Sequence, residues 1–566
     1  MRSTRVRLMA AAALFSSSSY LSLVNLAAKD PHERLEHTRQ VDANLQAWLM
    51  ERGVSMRQAA VRYLDEQKGR GLVHVESKVS VRNQTPAPPP AQGRFDPMST
   101  DGTGNLADAK ERQVNMQEDT ETETLSWFPW TLWKPWRKDK RSLANSSENV
   151  AAARAALSAR EKREEHVPKD EQEERISLER FLCGCDLQDA ILPDPSLRDR
   201  LFSRDIHDEW TVLATQVAIH KSLGLHSPLH GYLEAIRIPV MDPHPDADKD
   251  LTLAIEASRK AWRLTWEGGC KEEANECLQD VLKSRSLEHS SVKIKGPTWD
   301  DFLWSQHMVR SRAVGLHVRG KELLCVVPGL DFANHDPVAP NATWQVLEDP
   351  SSQKSDQVWL VQLGERTLRD GDEIRVQYGA GKPNQELLFN YGFVVPENPC
   401  KAIAVHAPLP PIQEWDELLH AKANLLIQNK LVPRVLLGDP SNVKHCDDLT
   451  LESMQVLAVL AAREKDLKRW LDATNMNIAL NTEDWMAAYT LLAWLLEGKI
   501  QWLEEKTGSP TEDRKLIKHE ESTMDPLRLQ HVIHRLEQKE LARAWLDWTR
   551  IKIRNLAKNN ALLPEG

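Results

Sequence analysis

The sequence has little cysteine for its length, seven residues in 566, an odd number with no two spaced as Cys-x-x-Cys. That excludes a disulfide-framed scaffold and a paired zinc knuckle, and it leaves Cys183 and Cys185 as ordinary thiols. An excess of positive charge is lacking too: 73 Lys and Arg against 83 Asp and Glu leave a formal charge of -10, which offers no general footprint for coating nucleic acid. No apolar run approaches the roughly 20 residues needed to cross a bilayer, so a protein without a transmembrane segment is expected. Phe and Tyr are scarce, nine and six residues, and are outnumbered by nineteen Trp. What the chain does have is length, enough for about three or four domain-sized units.

Two stretches stand apart from any packed fold. Residues 1–30 contain Arg2, Arg5, Arg7 and four serines at 16–19, with no acidic residue before Asp30, and their apolar run, residues 8–15, is short. This is the pattern of a processing segment, either a secretory signal peptide or an organelle transit peptide; the cysteine usage favours an organelle, plastid or mitochondrion. Residues 84–175 open with PAPPPAQG and continue rich in Pro, Ser, Glu, Arg and Ala. Low hydrophobicity with dense charge predicts a disordered insertion. Inside it, Trp127, Trp130, Trp133 and Trp136 recur every third residue between prolines, as in an extended ribbon that presents one face to a partner or to a membrane interface.

The informative stretch is 299–400. Residues 323–327 form a short apolar run ended by Pro328 and Gly329, and Asp331, Asn334 and His335 follow at once. Further on, Ile374, Val376 and Tyr378 alternate as in a half-buried strand, before a Gly-rich turn and an apolar helical face at Leu387, Leu388 and Tyr391. Polar groups therefore gather where two strands run out. Upstream, residues 37–63 have helical spacing with a stop at Gly53, followed by Gly69-Arg70-Gly71, a turn-like Gly-x-Gly ahead of an apolar alternation. Helical spacing is expected over 176–205, 211–223 and 250–287, and almost throughout 401–566.

The ordered series SRA, LLCVVPGLDFANH, GDEIRVQYG and ELLFNYGF, with Tyr391 thirteen residues after Tyr378, resembles the catalytic half of SET-domain methyltransferases, in the plant-type branch that includes the Rubisco large-subunit lysine methyltransferase. The resemblance implies an α+β fold: a SET domain of short twisted β-sheets with a helical insert, followed by an all-α C-terminal lobe. It divides the chain into an N-terminal SET piece (31–83), the insertion (84–175), a helical insert region (176–298), the catalytic half (299–400) and a substrate-binding-like lobe (401–566). It also implies S-adenosyl-L-methionine as cofactor and a protein lysine as substrate, with no metal and no nucleic acid.

By that likeness Tyr378 is the catalytic residue, and Gly69, Gly71, Arg312, Asp331, Asn334 and His335 hold the cofactor, Arg312 by meeting a carboxylate with its planar fork. Tyr391 and Tyr232 lie on the substrate side. A sister branch methylates a protein histidine and carries an Asn shortly after the Arg matching Arg312; here Ala313, Val314 and Gly315 follow. A silent SET scaffold is the third reading. The chain departs from the family near residue 84, where a second strand ending in an Ile-Pro-like step is expected and the insertion begins instead.

Overall fold

The computed structural model describes residues 31–56, 58–65, 69–75, 180–238, 244–285, 294–349, 355–364, 368–379, 381–407, 414–440, 450–471, 478, 480–520 and 523–561. The expectations for residues 1–30, for the insertion at 84–175 and for its tryptophan ribbon lie outside the described residues.

Helix α1 (Pro31–Glu51) ends where the sequence places its stop, with Gly53 at φ +77°. Its Leu45 and Leu49, one turn apart, are fully buried and contribute about 1.5–3 kcal/mol each. Strands β1 (Ala59–Asp65) and β2 (Gly69–His74) then pair antiparallel, Val61 opposite Leu72. The glycines of the Gly-Arg-Gly triplet thus lie on a strand, not in a turn.

Beyond the insertion the helical spacing expected over 176–205 is replaced by strand β3 (Phe181–Asp186), with helix confined to α2 (Pro195–Phe202), capped by Asp194. The reason is burial on both faces. Residues 181–185 are all enclosed, which erases the alternation that marks a half-buried strand. Gly184 permits it, because a Cβ there would stand 2.2 Å from Trp359 Cδ2. In chain order β3 takes the place of the strand missing at residue 84, and Ile191-Leu192-Pro193 follows it.

The helical insert follows as α3 (Glu209–Leu223), α4 (His230–Ala235), α5 (Lys249–Thr265) and α6 (Lys271–Ser284), the last two joined by a π turn at Trp266–Cys270. Helix α7 (Trp299–Arg312) begins with a capping box in which Thr298 and Asp301 satisfy each other's backbone N–H. It leads into the hairpin β4 (Val314–Val318) and β5 (Lys321–Cys325). Next come β6 (Asn334–His335), β7 (Ala342–Leu347), β8 (Gln357–Gln362), β9 (Glu373–Val376) and α8 (Asn384–Tyr391). The small sheets run β1-β2-β9-β6, β3-β8-β7 and β4-β5, and a single apolar core spans them together with the insert. Among the described residues only β6 and β9 pair in parallel, which brings two distant strand ends to one place.

The C-terminal lobe consists of β10 (Ala402–His406), α9 (Glu417–Gln428), β11 (Arg434–Gly438), α10 (Leu451–Ala461), α11 (Glu464–Leu471), α12 (Thr482–Glu504), α13 (Pro510–Glu520) and α14 (Pro526–Ala561). Helices dominate it, as the sequence predicts, but it is not purely α: β10 and β11 form a two-stranded sheet. Both are five-residue strands with only three or four apolar residues in a row, too short for periodicity to separate strand from buried helix. The lobe has its own core, and a small third cluster of Leu251, Ile255, Leu388, Phe389 and Val394, with Ile533 against it, joins the lobe to the insert and α8.

Candidate functional site

The parallel pairing of β6 with β9 sets Asn334 beside Arg375 and His335 beside Val376. The Asn334 amide donates from Nδ2 to Glu373 Oε1 at 2.9 Å. Gly71, on the strand next to β9, closes on the same amide: a Cβ at Gly71 would lie 2.8 Å from Asn334 Nδ2. The small residue is needed for that approach, not for a turn. Gly69 sits at the start of β2, opposite Asp65.

His335 accepts at Nδ1 from the Tyr378 backbone N–H at 3.1 Å, while its Nε2 is buried with no hydrogen-bond partner. Burial lowers its pKa from the ordinary histidine value, so the ring is neutral at pH 7. The imidazole stacks on Tyr378 at 5.1 Å between centroids. The Tyr378 hydroxyl donates to Ala333 O at 2.9 Å, and burial pushes the phenol well above its ordinary pKa, as it does for Tyr391. The Tyr391 ring lies 4.8 Å from that of Tyr378. Gly392, at φ +77°, ends α8 directly after Tyr391 and turns the chain, so that Phe393 joins the cluster 6.2 Å from both His335 and Tyr391.

Two residues of this cluster were not singled out in the sequence. Phe393 reads there only as part of an apolar tail, and the left-handed glycine before it is the signal that redirects it. Lys382 reads as a turn residue, yet its Nζ lies 5.7 Å from the Tyr391 ring centroid while it pairs with Glu386 one helical turn on.

The remaining candidates form a second group. Asp331 is buried and receives Arg312 Nη1 at 2.8 Å and the Tyr232 hydroxyl at 2.6 Å on Oδ2, and the Gly329 N–H at 3.0 Å on Oδ1. Arg312 also donates from Nη1 to Asp331 O at 3.2 Å, and its guanidinium lies over Phe332. Tyr232, expected on the substrate side, is fully enclosed, stacked on Trp48 and bonded to Asp331. Burial, and next the charge of Asp331, hold its phenol neutral, so that it can donate. Arg312 spends its hydrogen bonds through one nitrogen, not through the whole planar fork. Among the described residues no group of three or more His, Cys, Asp or Glu could hold a metal ion, and no helix is long and apolar enough to cross a membrane.

No family model matches the chain. It is 23% identical over 264 residues to the ribosomal lysine N-methyltransferase set10 of Schizosaccharomyces pombe, covering 45% of this chain and 44% of that protein. It is 29% identical over 128 residues to the chloroplastic ribulose-1,5-bisphosphate carboxylase/oxygenase large-subunit N-methyltransferase of Pisum sativum, covering 22% and 24%. The matched stretches therefore span less than half of either relative. Over nearly the whole fold the chain superposes on the SET domain of LSMT crystallised with lysine and AdoHcy: TM-score 0.54, 14% identity, 92% of this chain and 93% of that one. With its paired strand ends and helix-dominated C-terminal lobe, the chain has the fold of that SET protein, and over part of its length it is similar, at 23–29% identity, to curated lysine N-methyltransferases that include the plant Rubisco enzyme.

Proposed function

We propose that the chain is an S-adenosylmethionine-dependent protein-lysine N-methyltransferase acting on a non-histone protein. The observation that carries this reading is the convergence of Asn334 and His335 with the stacked rings of Tyr378, Tyr391 and Phe393, joined through one parallel strand pair. Support for cofactor binding comes from three features. Gly71 leaves no Cβ beside Asn334, His335 Nε2 is buried without a partner, and Arg312 reaches Asp331 through a single nitrogen. In this reading Asn334, His335, Arg312 and the backbone at Gly71 hold the cofactor, and Asp331 with Tyr232 fixes Arg312.

When bound, S-adenosylmethionine supplies a sulfonium-activated methyl group. The protein's part is to align donor and amine and to keep water out. Tyr378 is held by its bond to Ala333 O and remains a neutral phenol, with oxygen lone pairs free for weak C–H···O contacts. Tyr391 and Phe393 give the amine an aromatic wall. A lysine amine has a free pKa of ~10.4, and an apolar enclosure disfavours its charged form, which leaves the nucleophilic one.

Ala313, Val314 and Gly315 after Arg312 favour lysine over histidine as the acceptor. A silent scaffold was suggested by the interrupted N-terminal piece; β3, paired with β8, removes that motive. The acid-poor N-terminus and the chloroplastic enzyme among the relatives support action in a plastid-type organelle. The test is incubation of the protein with labelled S-adenosylmethionine and an organelle extract, followed by mass-spectrometric mapping. Methylated lysine is expected, whereas no incorporation, or methylated histidine, would overturn the reading.

A further inference from the structure

Helix α14 turns one face toward the segment that carries Tyr391 and Phe393. Gln530, Ile533, His534, Glu537 and Gln538 recur at three- and four-residue intervals and so share one side of the helix. A helical stripe facing a core is ordinarily apolar, yet only Ile533 is apolar here. The polar members have specific partners. Gln530 Oε1 accepts the Val394 N–H at 2.6 Å, Glu537 Oε2 accepts from Asn384 Nδ2 at 2.8 Å, and Gln538 Nε2 donates to Ala402 O at 3.0 Å.

Asn384, fully buried at the first position of α8, completes the arrangement. Its Nδ2 also reaches Val395 O at 3.0 Å, and its Oδ1 accepts from Val395 N at 2.9 Å and from Asn398 Nδ2 at 3.2 Å. The segment from α8 through Phe393 is therefore gripped at both ends, at Asn384 before Tyr391 and at Val394 directly after Phe393, by a helix more than 130 residues further along the chain. Ile533 packs between the grips, against the cluster of Leu388, Phe389 and Val394.

We infer that α14 is a positioning element of the site: Gln530 and Glu537 set the placement of Tyr391 and Phe393, and through them the approach of the acceptor amine. The functional half of this inference rests on the methyl-transfer reading. Gln530→Met and Glu537→Leu remove the acceptors, while Gln530→Glu and Glu537→Gln keep them. In full-length protein, amide hydrogen exchange over residues 384–398 quickens in the first pair and stays near wild type in the second. Methyl incorporation from labelled S-adenosylmethionine into a fixed protein extract falls about tenfold in the first pair, with the KM for S-adenosylmethionine within about twofold of wild type, and recovers in the second.

If wild type neither binds nor uses S-adenosylmethionine, the methyl-transfer reading fails and the exchange arm alone judges the positioning. Unchanged exchange in Gln530→Met and Glu537→Leu would overturn the inference. Exchange that quickens equally throughout α12 and α14 would also overturn it, since the polar face would then serve only to hold the lobes together.

Discussion

Two buried polar regions flank α8, and they are built on opposite principles. On the sheet side, His335, Tyr378, Tyr391 and Phe393 are uncharged rings, and one polar atom, His335 Nε2, is left without a partner. On the lobe side lies a charged seam. Asp246, Asp248 and Asp250, at every second position leading into α5, each meet a basic side chain from the lobe: Arg535 and Arg528 on Asp246, His534 on Asp248 and Lys499 on Asp250. Arg535 and Lys539 then share Asp513, at 2.8 and 2.6 Å. Burial alone would raise the Asp248 carboxyl, but His534, Lys499 and the Leu251 N–H outweigh it and bring it down to about 2. The seam holds charge against charge, although Asp248 Oδ2 and both His534 nitrogens make no hydrogen bond. The contrast is therefore one of charge: the ring cluster is uncharged, as suits a site that disfavours a charged amine.

The comparison is broken most severely from the seam. Lys539 is fully buried and donates to Asp513 and to Gly508 O. Lys539→Met leaves a buried carboxylate short of a cation and lowers unfolding stability by about 3 kcal/mol; urea denaturation measures it. Cofactor affinity of the folded variant stays at the wild-type value, and a large loss there would show that seam and site are one unit.

A smaller effect comes with pH. His531, stacked on His244, is held neutral by burial first and then by the neighbouring His244 and His534, with its pKa down at about 4. A depressed folded pKa means that the unfolded chain binds the proton first, so stability is full above about pH 6.5 and is lost as pH falls toward 4. His531→Phe should reduce the stability lost between pH 7 and pH 5 by about 1–2 kcal/mol. Denaturation curves at the two pH values that shift equally in both proteins would contradict this.

On the site side, Tyr378→Phe keeps the stacked ring and removes the hydroxyl. Turnover falls at least about tenfold, a barrier change of ~1.4 kcal/mol, while cofactor affinity stays within a few-fold; single-turnover methyl transfer separates the two. The smallest effect is expected from deleting residues 84–175. The described strands resume at Phe181, so both regions stay intact and the thermal midpoint is nearly unaltered.

Site and seam also differed in how much the sequence disclosed. Asn334, His335, Tyr378 and Tyr391 stood out because they lie at strand ends and glycine turns, where local pattern and ordered motifs coincide. The helices of the insert and the lobe were legible from their spacing. Strand β3 was hidden by two-sided burial, and β10 and β11 by their shortness. The role of Tyr232 depends on Asp331, 99 residues away, and the grip of Gln530 on Val394 spans 136 residues, partnerships that no local spacing encodes. The polar face of α14 is likewise explained only by the placement of α8 against it.

The central claim is that donor and acceptor occupy different sides of the ring cluster, with Asn334 serving the cofactor and Tyr391 the amine. Calorimetric titration of S-adenosylmethionine into wild type, Asn334→Ala and Tyr391→Phe tests it directly. Asn334→Ala removes a polar partner of the cofactor at a loss of about 1–3 kcal/mol, so affinity falls roughly five- to two-hundred-fold, whereas Tyr391→Phe binds as wild type does. Equal, wild-type affinity in both variants would make Asn334 a strand-end residue only, and would contradict this placement of the cofactor.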